Sequence, residues 1–251
     1  PILFIRSYKF ITKKDLKFIF FSSIFKFLLL IFSKINTPDA GLYHLPFVQI
    51  LNENKLIVGL NNLHFRFGHI SIIQYLSAIN YNFINGVEGI LIPLASLAVF
   101  ILLYFYQEIK EFLKSDKSLN INVLFCLSVL IYISFKINRY SSFGNDAIAH
   151  LLFFYLISTF LKSNFDYVDL QKTLIISSFI FLNKVTLILA FLIPFFVFLK
   201  CNEKKIKIFF SFSVILILIW LIIHTAIITQ PIFVRCRPRT IPFPSAWRPA
   251  S

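Results

Sequence analysis

Six side chains in this sequence have types and positions that could do chemistry: Asp39, His44, His64, Arg66, Asp146 and Lys184. The chain holds only eleven acidic residues and five histidines, so each stands out against its surroundings. Asp39 and His44 lie in the stretch NTPDAGLYH. A carboxylate can take a proton from a hydroxyl, and an imidazole can donate or accept a hydrogen bond. The stretch NNLHFRFGH alternates. If it is extended, His64 and Arg66 share one side, and Leu63, Phe65 and Phe67 share the other. An arginine can grip a phosphate through two parallel hydrogen bonds. RYSSFGNDAIAH adds a second carboxylate, Asp146, and FLNKVTLILAF adds the cation Lys184.

Each of these residues also has a plainer reading. Thr37 can cap a helix, Pro38 suits its first position, and Asp39 in the first turn favours the helix dipole. Pro46 lacks an N–H and clashes one turn back, so it predicts a break or a kink, with two short helices, 38–45 and 46–53, lying along the outer interface. Arg66 can snorkel at an interface. Asp146 can cap the helix that starts there. His150, one turn further, reads as a packed core histidine. The histidines lack the spacing of an HExxH helix, so the sequence supports no metal site. Cys126, Cys201 and Cys236 have neither metal nor redox spacing, and Cys126 reads as packing within a helix.

The elements that must position these residues follow from composition. Hydrophobic residues make up 58% of the 251 and charged residues 14%, against about 45–50% and 25% in soluble domains. That predicts an all-α, polytopic membrane protein. Apolar runs near the roughly 20 residues that cross a bilayer predict about seven spans, at 18–35, 87–106, 120–137, 147–161, 173–183, 185–199 and 208–228. The segment 70–83 is shorter and more polar, and reads as an interfacial helix. The net charge of +14 comes largely from lysines clustered beside apolar runs: Lys9, Lys13, Lys14 and Lys17, then Lys200, Lys204, Lys205 and Lys207. That is the pattern of inner-side anchors, not of a nucleic-acid surface.

Taking those clusters as inner places the N-terminus inside. For 173–199 it favours a hairpin with Asn183 and Lys184 at its tip over a single span, because a single crossing would put a lysine mid-membrane and the 200–207 lysines outside. The outer side then receives the long loop 36–86, loop 138–146 and the hairpin tip. All six candidates lie there, Asp39 beside apolar helices. Residues 1–230 read as one membrane domain. Residues 231–251, with four arginines, five prolines and no lysine, read as an atypical tail outside it. A chain with no methionine reads as part of a longer protein.

A first span, an outer loop opening on an aspartate, two interfacial helices and then many spans resemble the GT-C fold of polytopic glycosyltransferases. The protein mannosyltransferase-like and lipopolysaccharide-sugar transferase-like bacterial membrane proteins are the nearest in pattern. PDAGLYHLPFVQIL, GLNNLHFRFGHISI, SSFGNDAIAHLL and FLNKVTLILAFLIPFF carry the resemblance. It implies transfer of a sugar from a polyprenyl-phosphate-linked donor to a glycan or lipid acceptor, at the outer face of a bacterial plasma membrane. Asp39 takes the place of the catalytic base; the sequence calls for no cofactor and leaves the use of a divalent metal open. His44, His64, Arg66, Asp146 and Lys184 are then substrate-binding candidates, Arg66 or Lys184 facing the leaving phosphate. Three rival readings remain: a transporter or flippase, a polymerase acting on lipid-linked glycans, and a membrane scaffold without catalysis.

Overall fold

The computed structural model describes residues 39–54, 71–81, 87–114, 120–136 and 143–201, with isolated positions between 17 and 28, at 67 and at 219. Among the described residues there are seven α-helices: α1 Leu45–Asn54, α2 Ile72–Asn80, α3 Ile92–Leu113, α4 Ile121–Phe135, α5 Asn145–Leu161, α6 Tyr167–Asn183 and α7 Leu192–Lys200. A wide π-turn, Ala40–His44, leads into α1, and tighter 3₁₀ segments, Val87–Leu91 and Val185–Phe191, lead into α3 and α7. The predicted spans 18–35 and 208–228, loop 55–66, with His64 and Arg66, and the 231–251 tail lie outside the described residues, apart from single positions.

Pro46 does not break the first helix. The Leu45 N–H reaches back to the Ala40 carbonyl, five residues away, and the helix runs on to Asn54. The wider turn takes up the irregularity that a missing proline N–H imposes. The expected boundary between 38–45 and 46–53 is present as a change of helix type, from the π-turn Ala40–His44 to α1, without a break in the chain of helical residues.

α3 to α7 form an up-and-down bundle. α3 and α5 run parallel, since Tyr104 meets Ser158 and Glu108 meets Lys162, both 54 residues apart. α4 runs against them, bringing Asn122 to Glu108 and Ser158. α3 buries Leu94, Ala95, Ala98, Ile101 and Phe105 along one stripe at helical spacing. Its alanines let neighbouring backbones approach, as small residues do between membrane helices. Cys126 is fully buried in the same core and carries a free thiol.

The 173–199 segment is a hairpin. α6 ends at Asn183, Lys184 is extended (φ −151°, ψ 101°), and the chain turns back. The Ser177 hydroxyl bonds the Ala190 carbonyl, and Leu170 packs with Val197, matched pairs on opposite arms of an antiparallel turn. The first arm begins at Tyr167, earlier than the predicted 173. Asp166 caps it by accepting from the Asp169 N–H at 2.8 Å.

One helical run among the described residues, Gly89–Leu113, is long and apolar enough to cross a membrane. Ile121–Phe135, Asp146–Leu161 and Val185–Lys200 are apolar but shorter. At 1.5 Å per residue such helices reach about 22–24 Å, short of a core about 30 Å thick. Among the described residues, the expectation of full spans is thereby reduced to an all-α bundle with one helix of spanning length.

Candidate functional site

α2 has nine residues, fewer than an isolated helix needs to hold its shape in water. Three side chains from other elements hold it in place. At its start, Asn183 Oδ1 accepts a hydrogen bond from the Ile73 N–H at 3.1 Å. That donor is one of the helix's orphan N–H groups, and Ser71 at the N-cap makes no side-chain cap bond of its own. At its end, Asn52 Nδ2 donates to the Ala78 and Tyr81 carbonyls, both at 2.8 Å. In the middle, the Gln74 amide nitrogen donates to His44 Nδ1. Asn183 is fully buried, and Gln74 and His44 nearly so. On the neighbouring face Tyr75 packs edge-on against Phe47, and burial pushes its hydroxyl up from the ordinary phenol range, so it stays neutral.

Replacing Asn183 with alanine strands the buried Ile73 N–H and unfastens α2 from α6. The expected loss is about 1–3 kcal/mol, read as an earlier thermal unfolding midpoint of the detergent-solubilised protein. A midpoint equal to wild type contradicts the capping role.

The imidazole of His44 sits in an aromatic and backbone clamp. Tyr43 lies 4.1 Å away between ring centroids, and Phe143 meets the ring edge-on at 6.3 Å. Gly144 lies against its far edge: a Cβ there would stand 3.3 Å from His44 Nε2. Gly144 is also the N-cap of α5, so the glycine admits the ring to the start of that helix. Two residues on, Asp146 occupies the first turn of α5 and pairs with Lys184 at 2.7 Å. The structure thus corrects the expected capping role of Asp146. The helix starts one residue earlier, and the carboxylate faces the hairpin tip.

Asp146 and Lys184 are only partly buried, and a pair so open to solvent contributes about 0–1 kcal/mol. Its significance is positional, because it fixes a cation at the same end of the bundle as the His44–Gln74 pair. Asp39 stands at the start of the π-turn that carries His44. Its side chain is exposed, not buried beside apolar helices as expected, and makes no capping bond. His150 is half-buried within α5. Of the six candidates, then, four lie among the described residues, and His44, Asp146 and Lys184 gather at one end of the bundle. Among the described residues no three histidine, cysteine or carboxylate side chains come together as metal ligands.

A second polar cluster lies at the opposite end of the bundle. Lys162 Nζ donates to Glu108 Oε1 at 2.7 Å, and Asn122 Nδ2 donates to Glu108 Oε2 at 3.1 Å. The Ser158 hydroxyl donates to Asn122 Oδ1 at 2.7 Å, which leaves it to accept from the Tyr104 hydroxyl at 3.2 Å. Cys126 Sγ borders the chain 3.6 Å from Ser158 Oγ. This network joins α3, α4 and α5, and each link is satisfied, which is the condition under which buried polar groups rigidify a core.

Sequence reasoning missed Gln74, Gly144 and the capping role of Asn183. A signal for Gln74 existed: Ser71, Gln74 and Ser77 recur every third residue in an otherwise apolar run, and all three are buried. The partners could not be read locally, since Gln74 meets a residue thirty positions away.

A family described as a domain of unknown function, DUF8201, matches residues 3–234. That description assigns no activity, glycosyl transfer included. No curated protein and no solved structure matches the chain.

Proposed function

The chain belongs to the DUF8201 family, and from that premise and the site just described we propose that it is a polytopic membrane glycosyltransferase. It moves a sugar from a polyprenyl-phosphate-linked donor to a glycan or lipid acceptor at the outer face of the membrane. One observation carries the reading: a fixed imidazole, on the π-turn that follows Asp39, shares one end of a bundle of apolar helices with the paired carboxylate of Asp146 and ammonium of Lys184.

The membrane setting draws support from the exposed surface. α7 leaves Leu192, Phe195, Phe196 and Leu199 uncovered at helical spacing, and α4 does the same with Leu124, Leu127, Ile131 and Phe135. Apolar faces this continuous are unusual on a soluble monomer and suit lipid. The Asp146–Lys184 and Glu108–Lys162 pairs occupy opposite ends of the bundle, which suits an outer and an inner interface. Shorter helices then call for local bilayer thinning or helical neighbours.

In this mechanism Asp39 takes the proton of the acceptor hydroxyl as its oxygen attacks the anomeric carbon. The bond from that carbon to the phosphate oxygen breaks, and the lipid phosphate leaves with its charge stabilised by Lys184 or Arg66. The substrate reaches Asp39 directly because that carboxylate is exposed. The reading is tested with the full-length protein in lipid nanodiscs, supplied with radiolabelled polyprenyl-phosphate sugars and an envelope glycan extract. Transfer of label with release of polyprenyl phosphate is the expected result. Movement of the lipid-linked sugar between leaflets without any transfer would replace the proposal with a flippase.

A further inference from the structure

α2 carries its polarity backwards. The N-cap Ser71 and, within the helix, Gln74 and Ser77 are buried, alongside Ile73 and Ala78. The side chains it turns outward are apolar: Leu76 is 39% and Ile79 72% exposed. We propose that Leu76 and Ile79 meet the acyl chains of the outer leaflet, and that α2 is the wall between lipid and the polar end of the bundle. This rests on the membrane setting proposed above and not on sugar transfer.

Water favours the opposite rotation. A serine hydroxyl turned outward in water finds a hydrogen-bond partner there, and an apolar side chain turned inward escapes it. α2 does neither. Among the described residues the hydroxyls of Ser71 and Ser77, both fully buried, meet no hydrogen-bond partner. No bond gained on burial therefore draws them inward. Hydrocarbon reverses the preference: polar groups turn away from it, and lipid tails are as apolar as leucine.

α1 supplies the contrast. It packs beside α2, with Phe47 against Tyr75 and Asn52 bonded to the Ala78 carbonyl. It buries Leu45, Phe47 and Val48 and exposes Asn52 and Glu53, the ordinary polarity of a helix facing water. Nor does α2 rest loosely on the surface. Asn183 fastens its start and Asn52 its end, and the backbone N–H and C=O groups they meet fix which amide atom faces which. Just beyond Asn183, Val185, Ile188 and Leu189 are exposed as well, so uncovered apolar side chains lie on both elements of that junction. Asn183 precedes Lys184, and Gln74 meets His44. The inward side of α2 thus backs onto the polar groups of the candidate site.

The test uses the full chain in lipid nanodiscs, with spin labels on single cysteines. Ile79→Cys and Leu76→Cys report on α2, Leu127→Cys on the exposed face of α4, and Glu53→Cys on α1. The background carries Cys201→Ser and Cys236→Ser, and labelling it alone checks that the fully buried Cys126 does not react. Accessibility to oxygen, which enters hydrocarbon, is compared with accessibility to a water-soluble nickel chelate. The oxygen-to-nickel ratio is expected to be several-fold higher at 76 and 79 than at 53, and to match that at 127. Nickel access at 76 and 79, with 127 shielded, overturns the proposal and leaves the membrane bundle standing. Nickel access at 127 as well overturns both. Labels at 76 and 79 shielded from both reagents mark a protein contact in place of lipid and overturn the proposal too. None of these readouts depends on sugar transfer, so a protein that transfers no sugar refutes the proposed activity alone.

Discussion

If the proposed sugar transfer holds, Asp39→Asn in the full-length protein is expected to lower it by about 10²–10⁴-fold in kcat, with membrane insertion and folding retained. Asparagine matches aspartate in size and cannot take a proton. Asp39 is exposed and makes no side-chain capping bond, so the change removes no packing and no cap. What the fold loses is a favourable charge at a helix start, worth about 0.3–1 kcal/mol. The two readings of Asp39 are thus separated by magnitude: a helix-dipole carboxylate costs a fraction of the stability and no turnover. The measurement is transfer in nanodiscs beside a thermal melt of the same preparation. Turnover equal to wild type would falsify the base assignment.

Lys184→Gln is expected to have the next largest effect, a fall of about 10²–10³-fold in transfer, the range for removing one preorganised group that stabilises developing charge. Its effect on stability is expected to be small, because the ion pair it breaks is open to solvent and worth about 0–1 kcal/mol. Asp146→Asn supplies the contrast. It removes the same ion pair but leaves the cation, so it should retain most of the activity. Equal losses in the two variants would show that the pair acts as a structural latch, not that Lys184 serves the leaving phosphate. Both variants are compared by initial rates at saturating donor.

The sequence made one half of this arrangement readable. Asn183 and Lys184 could be placed at a hairpin tip because a lysine is costly inside a membrane and the next four lysines had to stay on the inner side. The antiparallel contacts of α6 with the returning arm agree. Pro46 marked the place where the helix changes, but the change is a widening into the π-turn at Ala40–His44 and not a break. Asp146 misled. Its cap signal was sound by local rule, but the hairpin tip brings Lys184 within 2.7 Å and recruits the carboxylate.

Composition and apolar periodicity are properties of neighbouring residues, so the sequence by itself determined an all-α chain and the approximate place of the described helices, and it favoured the turn at Lys184 that the structure shows. It could not determine which polar side chains meet. His44 finds Gln74 across thirty residues, and Asn183 caps Ile73 across 110. Such pairings depend on the angle and depth at which helices pack, and these are set by the whole core, from the alanines of α3 to the glycine before α5. Only the tertiary structure decided that an imidazole, an amide, a carboxylate and a lysine share one end of the bundle. A buried polar group must find a partner wherever packing leaves it, and in a chain this apolar there are few partners to find.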